Sequence, residues 1–101
     1  MIDITGAKFQ FDRFLATPGG QTVDPASLFT ASGQHLRVEQ SQCCEEDHQS
    51  NLDALESGER IFTVHLDAQG HRFYIITDAV FDGDPLDRRD CATTVLRPEE
   101  Y

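Results

Sequence analysis

Two apolar arms separated by a short polar link occupy residues 60–77. The first arm is Ile61-Phe62-Thr63-Val64-His65-Leu66, the link Asp67-Ala68-Gln69-Gly70, and the second arm His71-Arg72-Phe73-Tyr74-Ile75-Ile76-Thr77. Both arms are dense in β-branched and aromatic residues, and the link holds a glycine, which together predict a β-hairpin. No other stretch is as apolar or as regular, so the core should be built on it. Two registers are open. A three-residue loop ending in a Gly70 bulge pairs Phe62 with Ile76 and Val64 with Tyr74. A four-residue loop pairs Phe62 with Ile75 and Val64 with Phe73, and gathers Phe62, Val64, Leu66, Phe73 and Ile75 on one face. Turn chemistry favours the first and burial the second; a slip of one residue exchanges the faces. The expectation is that Phe62, Val64, Phe73 and Ile75 are among the most buried residues.

The chain of 101 residues is long enough for one domain, 1–101, with a core of its own. In order, Ile2 and Ile4, then Phe9 and Phe11, alternate with polar residues, and the phase changes at Gly6-Ala7. This predicts one bulged strand or two short ones. Asp24-Pro25 is a helix start, with a short helix over 26–31 that Gly33 would stop. Leu36 and Val38 alternate with Arg37 and Glu39, a short strand. Residues 41–58 form the best helix, capped by Ser41 and ended by Gly58. Cys44, His48, Leu52 and Leu55 make its apolar stripe, and Glu45, Asp53 and Glu56 point outward. Residues 78–90 are a connection rich in aspartate, and 91–97 a closing strand stopped by Pro98. The predicted fold is α+β: an antiparallel sheet of about four to five strands, with one main helix packed on it and a short second helix.

The net charge is −10. It is lopsided: residues 1–40 hold four acids and three bases, and residues 41–101 hold fourteen acids and five bases. Such a field repels nucleic acid and anionic membranes and attracts basic protein surfaces. No stretch is long enough to span a bilayer and no secretory pattern opens the sequence, so the expected compartment is the cytoplasm, with three reduced cysteines.

The chemistry-bearing residues are weighed one set at a time. Cys43, Cys44, His48 and Cys91 are the one candidate zinc set, but adjacent cysteines diverge on a helix, and the expected reading is Cys44 in the core, His48 at its border and Cys43 half exposed. Cys91 beside Arg88 and Arg89 lacks any hydrolase signature and reads as a packed strand residue. Asp78, Asp82, Asp84 and Asp87 miss the EF-hand spacing and read as a solvated turn. His65 and His71 flank the hairpin turn, either as exposed strand ends or as a pair titrating together. No nucleotide, elbow or zinc-protease motif is present. Neither metal nor cofactor is expected.

The acidic helix and the acidic connection remain. If Glu45, Glu46, Asp53, Glu56, Asp82, Asp84 and Asp87 share a face, that face imitates a phosphate array. The expected function is a small non-enzymatic binding protein or inhibitor, docking on a basic, nucleic-acid-binding surface of a partner. Phage and plasmid inhibitors of restriction and CRISPR complexes work in this way. The alternatives are a structural or accessory subunit that forms a homodimer through an edge strand, and a small cysteine–histidine metal protein or enzyme.

Overall fold

The computed structural model describes residues 2–80 and 91–101. The elements are β1 (Arg13–Ala16), α1 (Pro25–Leu36), α2 (Glu45–Ser57), β2 (Ile61–Leu66), β3 (Arg72–Thr77) and β4 (Ala92–Leu96), with short 3-10 turns at Gly20–Thr22 and Pro98–Glu100. The four strands form one sheet in the order β1-β4-β3-β2. The fold is α+β, as the pattern predicts. The sheet is mixed rather than antiparallel, because β1 runs parallel to β4.

Turn chemistry set the hairpin register. Phe62 pairs with Ile76 and Val64 with Tyr74. Asp67 N–H donates to the His71 carbonyl and Gly70 N–H to the Asp67 carbonyl, closing a three-residue loop. Gly70 has φ +82°, a left-handed conformation that a side chain disfavours. The Asp67 carboxylate accepts from the Gln69 and His71 amides and pairs with Arg97 at 3.0 Å. The inward face therefore carries Ile61, Thr63 and His65 from β2, and Phe73, Ile75 and Thr77 from β3, all buried. Phe73 and Ile75 are core residues as expected. Phe62 and Val64 are not: they lie half-buried on the opposite face.

Helix α1 is longer than the short helix expected over 26–31. Asp24 caps it, accepting from the Ser27 amide at 3.0 Å, and Pro25 opens it. Gly33 does not stop it. A Cβ at Gly33 would meet Asp3 Oδ2 at 2.5 Å, so the missing side chain admits the N-terminal segment instead. Leu36 belongs to this helix rather than to a strand. Val38 follows at φ 54° and is buried with Phe9, Leu36, Ala54 and Ile61, which hold it in a conformation costly for a β-branched residue. Residues 2–12 form no strand: the chain turns at Gly6 (φ +68°), and Lys8 N–H bonds the Leu36 carbonyl. Phe9 is core, while Ile4 is 71% exposed. The strand begins later, at Arg13, where β4 offers a partner edge. A second cluster, Val23, Ala31, Phe73, Ile75 and Val95, packs α1 on the sheet.

Helix α2 starts at Glu45, not Ser41. Ser41 has φ 50°, and Cys44 is the exposed residue before the first turn. The helix ends at Gly58 as expected. Its most buried residues are Asn51 and Ala54; of the expected stripe Leu52 and Leu55 are half-buried and pack against the Phe9, Leu36, Val38 and Ile61 cluster, while Cys44 is exposed. Asn51 is tolerated inside because it is paired. Its amide donates to the Phe62 carbonyl at 2.7 Å and its oxygen accepts from the Phe62 N–H at 3.0 Å. One side chain thus pairs with β2's outer edge as another strand would, and Gln42 N–H caps the next carbonyl, Val64.

Replacing Asn51 by leucine is expected to cost about 1–3 kcal/mol, because it strands both Phe62 groups. Leu52→Ala, at a half-buried position, should cost less than the 2–5 kcal/mol typical of a full leucine truncation in a core. Urea melts of the two variants would show the order, and the reverse order would contradict this placement of α2.

Candidate functional site

The outer surface of α2 is the first candidate. An α-helix turns about 100° per residue. On that wheel Glu45, Glu56, Asp53 and Glu46 fall within an arc of about 100°, centred opposite Asn51 and Ala54. All four are exposed, as is Asp47. They form a carboxylate stripe about 16 Å long at 1.5 Å per residue. No arginine or lysine stands in this helix, and among the described residues none of the five acids forms an ion pair. Four of the described arginines are engaged elsewhere. Arg37 lies between Asp3 (3.2 Å) and Glu39 (2.6 Å), Arg97 against Asp67, and Arg13 beside Asp12. Arg60 stacks over the Tyr101 ring at 5.4 Å and bonds its hydroxyl. Asp82, Asp84 and Asp87, the rest of the predicted surface, lie outside the described residues, and three of the four aspartates of the candidate cation turn fall there too.

Other acids have structural work. The Glu100 carboxylate accepts from Thr17 Oγ1 (2.7 Å), Gly19 N–H (2.9 Å) and Arg97 N–H (2.8 Å), tying the last turn to the start of the chain. Donors of this kind hold the Glu100, Asp24, Asp67 and Asp3 carboxyls below their ordinary range.

The cysteines do not converge on one another through any described contact. Cys43 is buried with its thiol toward the Phe62 carbonyl, and burial pushes that thiol up. Cys91 is buried toward the Ala79 carbonyl, and Cys44 is exposed: the expected roles of Cys43 and Cys44 are reversed, because α2 begins only at Glu45 and Cys44 lies before its first turn. Among the described residues no three histidine, cysteine or acidic side chains are grouped to hold a metal.

Sequence reading missed the interior. His35, Thr63, Thr77 and Thr93 are fully buried, and His65 is 3% exposed. His35 Nδ1 lies 2.6 Å from Thr63 Oγ1, and His35 Nε2 lies 2.7 Å from Thr77 Oγ1. Thr63 Oγ1 is 2.7 Å from His65 Nε2, and Thr77 Oγ1 is 2.8 Å from Thr93 Oγ1. One chain of hydrogen bonds thus joins α1 to β2, β3 and β4. His65 is therefore not an exposed strand end, whereas His71 is exposed in the turn. Burial lowers the His65 pKa from 6.5 to about 4, so the ring is neutral at pH 7. The signal available in the sequence was the inward alternation Thr63, His65, Thr77 and Thr93, legible only once the register is known.

Among the described residues no helix is long and apolar enough to cross a membrane. No family model matches the chain, and neither curated proteins nor solved structures give a match.

Proposed function

We propose that the protein is a small, acidic, non-enzymatic binding protein, an inhibitor in the cytoplasm, that lays the outer stripe of α2 on a basic surface of a partner protein. Surfaces that bind nucleic acid are the natural targets, since a row of carboxylates imitates their ligand's phosphates. The observation that supports this reading is the stripe itself: Glu45, Glu46, Asp53 and Glu56 side by side, exposed, with no described cation beside them. Exposed charges attract over roughly a Debye length, ~8 Å in physiological salt, so association should slow as salt rises.

Asp53→Lys combined with Glu56→Lys is the cleanest test. Both positions lie in the second half of α2, where the helix dipole favours cations, so the double reversal leaves the fold stable. Binding to the partner captured from the native host should weaken roughly tenfold or more, since each lost charge contact meets a like charge instead. Undiminished binding would contradict the reading.

The second reading is an accessory subunit that dimerises through β1. It is favoured by the contrast between the two sheet edges: Asn51 and Gln42 cap β2, whereas β1 shows Leu15 45% exposed. Light scattering separates the two, because only this reading expects a dimer that Leu15→Lys dissociates.

A further inference from the structure

The N-terminal segment builds a groove of about 540 Å³ at the end of α1. Ile4, Ala7, Phe9, Phe11 and Leu36 line it with apolar surface, and Lys8 and Gln10 are its polar members. Small-molecule sites have this size, about 300–1,000 Å³, and this make-up of many apolar groups with few polar ones. Phe9 and Leu36 form the floor, at 5% and 1% exposure, and belong to the core. Ile4 stands at the rim with 71% exposure, more than any other large apolar side chain described.

The backbone fixes the wall of the groove in place. Ala7 N–H donates to the Ile4 carbonyl at 3.1 Å, closing a turn on Gly6 at φ +68°. Lys8 N–H then donates to the Leu36 carbonyl at 2.8 Å and fastens the segment to α1. A ligand entering the groove therefore finds the wall already ordered, which favours binding.

Charge narrows the class of ligand. Lys8 is the only lysine of the chain, and among the described residues it forms no ion pair. The acids of the neighbouring segments are already matched: Asp3 and Glu39 share Arg37, and Asp12 has Arg13. The Lys8 ammonium is the charge of this region left without a partner. It opposes a cationic ligand, a neutral one leaves it unused, and a small hydrophilic anion leaves Ile4 in water. We propose that the groove binds a singly charged amphipathic anion of the fatty-acid class. Its alkyl chain lies along Ile4, Phe9, Phe11 and Leu36, and its carboxylate accepts from the Lys8 ammonium. The groove shares no residue with the α2 stripe, so neither reading depends on the other.

The test is NMR titration of the ¹⁵N-labelled full chain with hexanoate, octanoate and octanol, each below the concentration at which it aggregates. Octanoate should shift the amides of Ala7, Lys8, Phe9 and Phe11 saturably. It should bind about fourfold or more tighter than hexanoate, because a buried methylene is worth up to about fourfold. Lys8→Met keeps the apolar stem and removes the charge. It should weaken octanoate about two- to fivefold, the range of an exposed ion pair, and leave octanol unchanged. Ile4→Ser should weaken octanoate and octanol alike. Both positions are exposed, so the fold survives either change. No saturable shift of these amides with octanoate, hexanoate binding as tightly as octanoate, a Lys8→Met effect that is absent or equal for octanoate and octanol, or full octanoate affinity in Ile4→Ser would each overturn the proposal.

Discussion

His35→Ala is expected to destabilise the protein by about 3–5 kcal/mol, in the range of other buried-ring truncations. The ring is fully buried, packs edge-on to Phe9 at 5.7 Å between centroids, and engages a threonine at each nitrogen. Alanine removes the ring's volume and withdraws one partner from each of two buried hydroxyls. A domain of this size has only about 5–15 kcal/mol in total, so the variant should stand near the edge of folding. Thr77→Val is the shape-preserving comparison and should cost about 1–3 kcal/mol, because it unlinks His35 from Thr93 without opening a cavity. Chemical denaturation checks both: the midpoint should fall with its slope unchanged. A His35→Ala midpoint close to the wild type would mean that the interior does not pack around this ring.

The second large effect is loss of stability in acid. His65 has a folded-state pKa of about 4 against an ordinary 6.5, and burial of the ring is the cause. Between those values the unfolded chain takes up the proton and the folded one does not. Stability is therefore whole above pH 6.5, declines as pH falls, and by pH 4 has lost about 3 kcal/mol through this residue. Asp3, Asp24, Asp67 and Glu100 are lowered as well, so their contribution is present above the ordinary carboxylate range and lost below it. The two groups act in sequence, the imidazole first. His65→Phe should flatten the pH dependence of the unfolding free energy between pH 6.5 and 4 by up to one proton while leaving the steeper acid limb in place. An unchanged slope in that window would show that His65 is already protonated in the folded protein or solvated in a way its burial does not suggest.

Local chemistry was legible and long-range choice was not. The arms of the hairpin, the Asp24-Pro25 helix start, the Gly58 stop and the closing strand are short-range signals, and they appear where the residues put them. The register turned on Gly70, whose turn geometry outweighed the attraction of placing Phe62 and Val64 inside. That choice sends Thr63, His65 and Thr77 to the core. Their hydroxyls and rings are tolerable there only because His35 arrives from α1, a pairing across 28 and 42 residues that no periodicity displays. Gly33 read as a helix stop because glycine usually is one; here it makes room for Asp3. The stripe on α2 was half legible. Glu45, Asp53 and Glu56 repeat at helical spacing, and Leu52 and Leu55 pack against the core, but the centre of the packed side lies at Asn51 and Ala54, because Asn51 looks polar until its two bonds to Phe62 are seen.

The central claim is that the α2 carboxylates make the contact with a basic partner. Its most direct test is the association rate of that partner with wild type and with Asp53→Lys/Glu56→Lys, each measured across a range of ionic strength. Steered association falls as salt rises, over roughly a Debye length of ~10 Å at 0.1 M. The account predicts that the wild-type rate declines with salt, that the double reversal is slower at low salt, and that the two converge at high salt. Equal rates at every ionic strength, in a variant whose melting temperature matches the wild type, would contradict it.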